Sequence, residues 1–197
     1  MRKLLLIAFV TAVLPASAAT VDRIAAVIDE QVLTVTEVGQ MAEMRFFPRT
    51  AGESDDEYRR EILESLIAQA LRLRDVERFG APDITAESID ARLQQIQARF
   101  PSVADFEAAL IRAELSLDEF KALIKRQLQV EEYIQERFAP LVFVSNEEIE
   151  ERRRQAQPGV PIEQVRTTLR GERLQQEIER WTNRLRLRAN VDVYAWR

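Results

Sequence analysis

Three times along this chain a serine is followed three residues later by a glutamate: Ser54-Asp55-Asp56-Glu57, Ser116-Leu117-Asp118-Glu119 and Ser145-Asn146-Glu147-Glu148. At that spacing the hydroxyl accepts from the amide of the third helical residue, and the carboxylate reaches back to the serine amide. Each tetrad therefore predicts a helix start, and Ser102-Val103-Ala104-Asp105 is a weaker version of the same signal. Acids in these first turns also oppose the positive end of the helix dipole. A chain punctuated this way is committed to a string of helices.

The apolar spacing agrees. From Ser54 onward Tyr58, Ile62, Leu66, Ala70 and Leu73 recur at helical intervals, with Leu63, Ile67 and Leu71 widening the stripe until Phe79-Gly80 stops it. A second helix is predicted over 85–100, with Ile89, Leu93, Ile96 and Phe100 on one face and Pro101 as its stop. A short helix carrying Val103, Phe106 and Leu110 follows, then a long one over 117–138 with Phe120, Ile124, Leu128, Tyr133 and Ile134. The run Leu141-Val142-Phe143-Val144 reads as extended, and Gln157-Pro158-Gly159-Val160-Pro161 is the clearest break. Ile162, Val165, Leu169, Leu174, Ile178, Trp181 and Leu185 mark a last helix.

Strand character is confined to the two ends. Residues 24–28 and 32–34 are apolar runs around Asp29-Glu30-Gln31, and the tail alternates Val191 and Val193 against Asp192 and Tyr194. A lone hairpin is marginal in water, and a third strand makes it viable. The tail is therefore expected to pair with the hairpin, giving a mainly α fold with one small sheet that joins the ends of the chain.

Composition removes most chemistry. The chain has no His and no Cys, so it lacks the usual general base, the usual neutral metal ligand and any thiol. No catalytic residue, metal site or cofactor is predicted. The whole chain carries −5, and loss of Arg2 and Lys3 with an N-terminal signal makes it two more negative, which argues against a nucleic-acid partner. Arg2-Lys3, an apolar run over 4–14 and Ala16-Ser17-Ala18 read as an export signal cleaved near Ala18. That run is too short to span a bilayer, so a periplasmic location without stable membrane insertion is expected.

The block over residues 21–38, VDRIAAVIDEQVLTVTEV, resembles the opening of the SurA-type periplasmic chaperones: strand, polar turn, second strand, acidic-apolar helix start. Val142-Phe143-Val144-Ser145-Asn146-Glu147-Glu148-Ile149 resembles their V-x-V-S-x-E-E-I segment. Residues 161–188 followed by Ala189-Asn190-Val191-Asp192-Val193 are similar to their closing helix and strand. In many relatives a parvulin-type prolyl isomerase domain lies between the last two segments. Here only residues 150–160 separate them, so the resemblance implies a chaperone core without that module and not an enzyme. The implied organisation is a signal over 1–18, a chaperone region over 19–156, a linker over 157–161, and a helix and strand over 162–197 completing the same domain.

Such a core would hold unfolded or extended envelope proteins, above all outer-membrane β-barrel precursors, in an apolar groove without ATP. Met41, Met44, Phe46 and Phe47, crowded ahead of Pro48, are the substrate-binding candidates, because methionine adapts to varied partners. The alternative is that they are the core face of a short helix. Arg152-Arg153-Arg154, Arg184, Arg186 and Arg188 read as solvated faces paired with nearby glutamates, and Trp181 as a core anchor. Glu147-Glu148 and Glu150-Glu151 read as a charged helix start. A second hypothesis is a non-catalytic adaptor or subunit of an envelope complex with one folded partner; an isomerase or hydrolase is disfavoured by the missing residues.

Overall fold

In the computed structural model, residues 22–155 and 159–194 are described. The export signal with its cleavage point near Ala18, Gln157 and Pro158 of the linker, and Trp196 lie outside the described residues. Strands β1 (Ile24–Ile28) and β2 (Gln31–Thr34) lead into helix α1 (Val35–Glu43). Then come α2 (Asp55–Phe79), α3 (Ala86–Gln97), α4 (Val103–Arg112), α5 (Leu117–Arg137), α6 (Asn146–Gln155), α7 (Ile162–Arg186) and strand β3 (Val191–Val193). The fold is mainly helical with one three-stranded antiparallel sheet, in the order β2-β1-β3.

Each predicted serine box forms. The Ser54 amide donates to Glu57 Oε2 at 2.9 Å while the Glu57 amide donates to Ser54 Oγ at 3.3 Å. Ser116 with Glu119 and Ser145 with Glu148 repeat the exchange. A further box, Thr34 with Glu37, starts α1 directly from the end of β2. Ser102 caps α4 through the Asp105 amide at 3.1 Å. Replacing such a cap with alanine typically costs about 1 kcal/mol.

The tail pairs with the hairpin as expected. Ala26 faces Val193, Val27 faces Asp192 and Ile28 faces Val191 across the β1–β3 ladder. Asp29, in the hairpin turn, takes φ +51. Its amide donates to the Asn190 carbonyl and its Oδ1 accepts from the Asn190 amide, both at 2.8 Å, while Arg74 of α2 holds Oδ2. One aspartate thus ties the turn, the lead-in to β3 and helix α2 together. Asp tolerates the left-handed region better than most side chains.

The run read as extended begins at Val142, since Leu141 ends a single 3-10 turn over Ala139–Leu141 built on Pro140; Val142 and Val144 then bury while Phe143 points out. Proline removes a backbone donor and fixes φ, which suits a tight turn better than a ladder. The second helix ends at Gln97 rather than near Phe100, because the residue before Pro101 is disfavoured in helical geometry. Phe100 instead packs edge-to-face on Phe106, with centroids 5.5 Å apart.

Three buried clusters hold the elements. The main one joins the sheet, α1, α2, α3, α4 and α5 through Ile28, Val38, Ile62, Ile96, Phe106 and Phe120. A second joins α2, α5 and α7 around Trp181, whose Nε1 donates to Asp75 Oδ2 at 2.9 Å and whose ring stacks on Tyr133 at 5.7 Å. The third, Val144, Ile149 and Val165, joins α6 to the first half of α7. Helix α7 therefore serves two bodies: its N-terminal half packs on α6 and its C-terminal half on the main bundle.

Candidate functional site

Helix α1 ends in a left-handed cap that sorts the four candidate residues. Arg45 takes φ +48, the Phe46 amide donates to the Met41 carbonyl at 3.0 Å, and the Arg45 amide donates to Ala42 at 3.0 Å. This is the Schellman pattern, here without the usual glycine. It turns Phe46 inward and leaves Phe47 at the surface. Met41, Met44 and Phe46 are buried in the main core, and only Phe47 of the four is partly exposed. The core alternative therefore describes Met41, Met44 and Phe46 in this conformation, and Phe47 alone offers surface to a ligand.

Phe47 is a wall of two crevices. The first, about 500 Å³, lies between Ala42, Arg45, Pro48, Arg49, Tyr58 and Arg99. The second, about 370 Å³, lies between α2 and α5, with Ala68, Arg72, Gln127, Val130 and Ile134 among its walls. A third crevice of about 380 Å³ shares Ala42, Arg45, Arg49 and Tyr58 with the first and extends to Arg59, Phe100 and Arg112. A fourth, also about 380 Å³, shares Glu131 and Ile134 with the second and reaches Leu128, Leu174 and Ile178 near α7. Neighbouring crevices thus share wall residues in a series from α4, past the end of α1, to α7. On α2 alone the lining runs from Asp55 to Arg72, about 26 Å at the helical rise. That length matches about eight residues of extended chain.

The walls are polar as well as apolar. The Tyr58 hydroxyl donates to the Phe47 carbonyl at 2.8 Å; burial pushes its pKa up, opposed by the guanidinium charges of Arg99, Arg49 and Arg45. Arg72 Nε donates to Thr182 Oγ1 at 2.7 Å, and burial lowers its pKa. Arg92 grips Glu131 with two bonds of 2.9 and 2.6 Å, which fixes one rim of the α5 crevices. Gln127 Nε2 donates to the same carboxylate, leaving its Oε1 buried without a donor among the described residues.

The arginine triplet and Arg186 pair with glutamates as read from the sequence, while Arg184 and Arg188 are exposed with no glutamate partner among the described residues. Arg152 pairs with Glu172, Arg153 with Glu150, Arg154 with Glu151, and Arg186 with Glu64. No group of three or more His, Cys, Asp or Glu is placed to hold a metal ion among the described residues. Nor is any described helix long and apolar enough to cross a membrane.

Sequence reasoning passed over Tyr58, Arg45, Arg49 and Arg99. A signal was present: Arg45-Phe46-Phe47-Pro48-Arg49 and Arg99-Phe100-Pro101 repeat an arginine-aromatic-proline pattern at two helix ends. The fold brings the two together, since Arg99 Nη1 donates to the Phe46 carbonyl at 2.9 Å.

These features define a mainly helical protein whose described surface offers linked crevices of arginine, aromatic and aliphatic side chains. In sequence the chain is distantly similar to SurA chaperones. It is 29% identical to Chaperone SurA of Alkalilimnicola ehrlichii over 70% of this chain and 33% of that protein. The match to Chaperone SurA of Pseudomonas putida is 28% identical over 73% of this chain and 34% of the relative. For Saccharophagus degradans the figures are 26%, 66% and 31%. The matches span about a third of the length of these curated relatives. No protein-family model matches the chain.

Proposed function

We propose that this chain is a periplasmic, ATP-independent holdase that keeps unfolded outer-membrane β-barrel precursors from aggregating. The observation that carries the reading is the linked run of crevices around Phe47 on a chain distantly similar to SurA chaperones. Extended polypeptide would lie along the run, with apolar side chains entering at Phe47, Val130 and Ile134 and at Leu174 and Ile178. Weak contacts repeated along an extended segment suit a protein that must release its client. Met41, Met44 and Phe46 would contribute by supporting Phe47 from beneath.

The proposed unit is residues 19–156 together with 162–197, with the signal over 1–18 removed on export. Between α6 and α7 only residues 156–161 intervene, too few for a further domain. The net negative charge would keep a loaded complex soluble.

The test is suppression of aggregation. Residues 19–197 are mixed with a urea-unfolded β-barrel protein, which is then diluted while light scattering is followed. Suppression at near-equimolar ratio supports the reading. Unchanged scattering at several-fold excess of the chain would remove it.

A further inference from the structure

We propose that the crevice between the end of α1, the 44–54 connection and the α3–α4 turn receives side-chain carboxylates of extended polypeptide, favouring an acidic residue beside an aromatic one. The proposal rests on the holdase reading above and names which client segments this part of the surface selects.

Three guanidiniums line this crevice, those of Arg45, Arg49 and Arg99, and no acid does. Arg45 and Arg99 are tied to each other's backbone: Arg45 donates to the Arg99 carbonyl, and Arg99 donates to the carbonyls of Arg45 and Phe46. Carbonyls satisfy the donors but leave the charge uncompensated. Only Arg49 has a carboxylate partner, Asp55 at 2.7 Å, and that aspartate is mostly in solvent. Next door, Arg59 has no hydrogen-bond or ion-pair partner among the described residues, while Glu43 is taken by Arg112 and Asp105 by Ser102. Glu53, which also acts on Tyr58, accepts from the Thr50 amide. Arg45 and Arg99 thus have no carboxylate partner among the described residues, and this crevice is lined by three guanidiniums and no acid on a chain whose net charge is −5.

The guanidinium planes are held by aromatic rings. Arg45 lies 4.8 Å above Phe100 and Arg49 lies 5.2 Å above Tyr58. Stacking occupies the faces of a guanidinium, so the N–H groups that remain beyond the Arg99 carbonyl for Arg45, and beyond Asp55 and the Glu53 carbonyl for Arg49, lie along its edge, where a carboxylate accepts. Phe47, Pro48 and Tyr58 supply the apolar part of the wall, which suits an aromatic side chain next to the acid. A polyphosphate backbone would bring many charges against the negative surface as a whole, so a single carboxylate on a peptide is the better match.

The experiment uses three fluorescent peptides, blocked at both ends, that differ only in flanking a phenylalanine with Glu, Gln or Lys. Anisotropy titration with residues 19–197 should give the Glu peptide about tenfold tighter binding than the Gln peptide, and the Lys peptide the weakest. Arg45→Gln and Arg49→Gln should each reduce the Glu advantage, read as the ratio of Gln-peptide to Glu-peptide Kd within the same variant, to about threefold or less. Arg49 is exposed, so that variant, its fold checked by circular dichroism, decides the matter if Arg45→Gln unfolds. Equal affinity for the Glu and Gln peptides would overturn the proposal and leave the holdase reading standing. So would a Glu advantage that persists in the Arg45→Gln, Arg49→Gln double variant. Failure of every peptide and of the unfolded barrel protein to bind would overturn both.

Discussion

Phe120 is the most informative place to damage this protein. Its ring is fully buried and meets Phe46 and Phe106 edge-to-face, with centroids 5.8 and 5.9 Å away. Phe46 in turn meets Phe47 at 5.3 Å, and Phe106 meets Phe100 at 5.5 Å. A chain of five rings therefore runs beneath the crevices and emerges at both ends as their walls. Phe120→Ala removes the central ring, and Phe→Ala in a core costs about 3–5 kcal/mol, including the cavity left behind. Ordinary domains hold about 5–15 kcal/mol, so the variant should still fold. With a urea slope of about 2 kcal/mol/M, its unfolding midpoint should fall by about 2 M, followed by far-ultraviolet circular dichroism. Phe120→Leu should lose about half as much. A double-mutant cycle with Phe46→Leu should return a coupling of about 0.5–1.5 kcal/mol from the edge-to-face pair. A loss below about 1 kcal/mol for Phe120→Ala would refute the reasoning, because the ring network would then not be supporting the core.

Other expectations follow from single sites. Glu114 ends α4 at φ +52 with its side chain exposed, so Glu114→Gly should raise the melting temperature by about 1–4 °C; a fall would contradict the strain argument. Trp181→Phe deletes the indole bond to Asp75 and should cost about 1–2 kcal/mol by denaturant titration; no loss would mean that bond is immaterial. Acid should destabilise the fold through Asp29, Glu57, Glu119 and Glu148. Their carboxyls are held below the ordinary range, Asp29 by the Asn190 amide and then Arg74, Glu57 and Glu119 by their capping serine hydroxyls, and Glu148 by the Ser145 amide. A depressed folded pKa stabilises the fold above the unfolded value and loses that contribution as pH falls through the folded one. Melting temperature should therefore decline below about pH 4, and Asp29→Asn should make that decline shallower. A flat profile would contradict the assignment.

The helices were legible because their starts are written locally. Ser54, Ser116 and Ser145 each sit three residues from their glutamate, so no tertiary contact is needed to see them. The Thr34 box carries the same spacing but is hidden, since Thr34 also closes β2. The closure of the sheet by β3 followed from the marginal stability of a hairpin. The staple that secures it was not visible: Asp29 and Asn190 are 161 residues apart. The candidate site was half legible for the same reason. Clustering of Met41, Met44, Phe46 and Phe47 is a local property, but which of them faces out depends on the φ of Arg45. The pairing of Arg45 with Arg99 arises only when two helix ends 54 residues apart meet.

The central claim, that unfolded polypeptide occupies the linked crevices, is tested most directly by site-specific photocrosslinking. Benzoylphenylalanine is placed at position 47, within the crevices, or at position 170, an exposed place on α7 outside all of them. Each protein is then illuminated with an unfolded β-barrel protein. Adducts with the barrel protein should form at position 47 and be nearly absent at position 170. Equal capture at both positions, or none at position 47, would contradict the account.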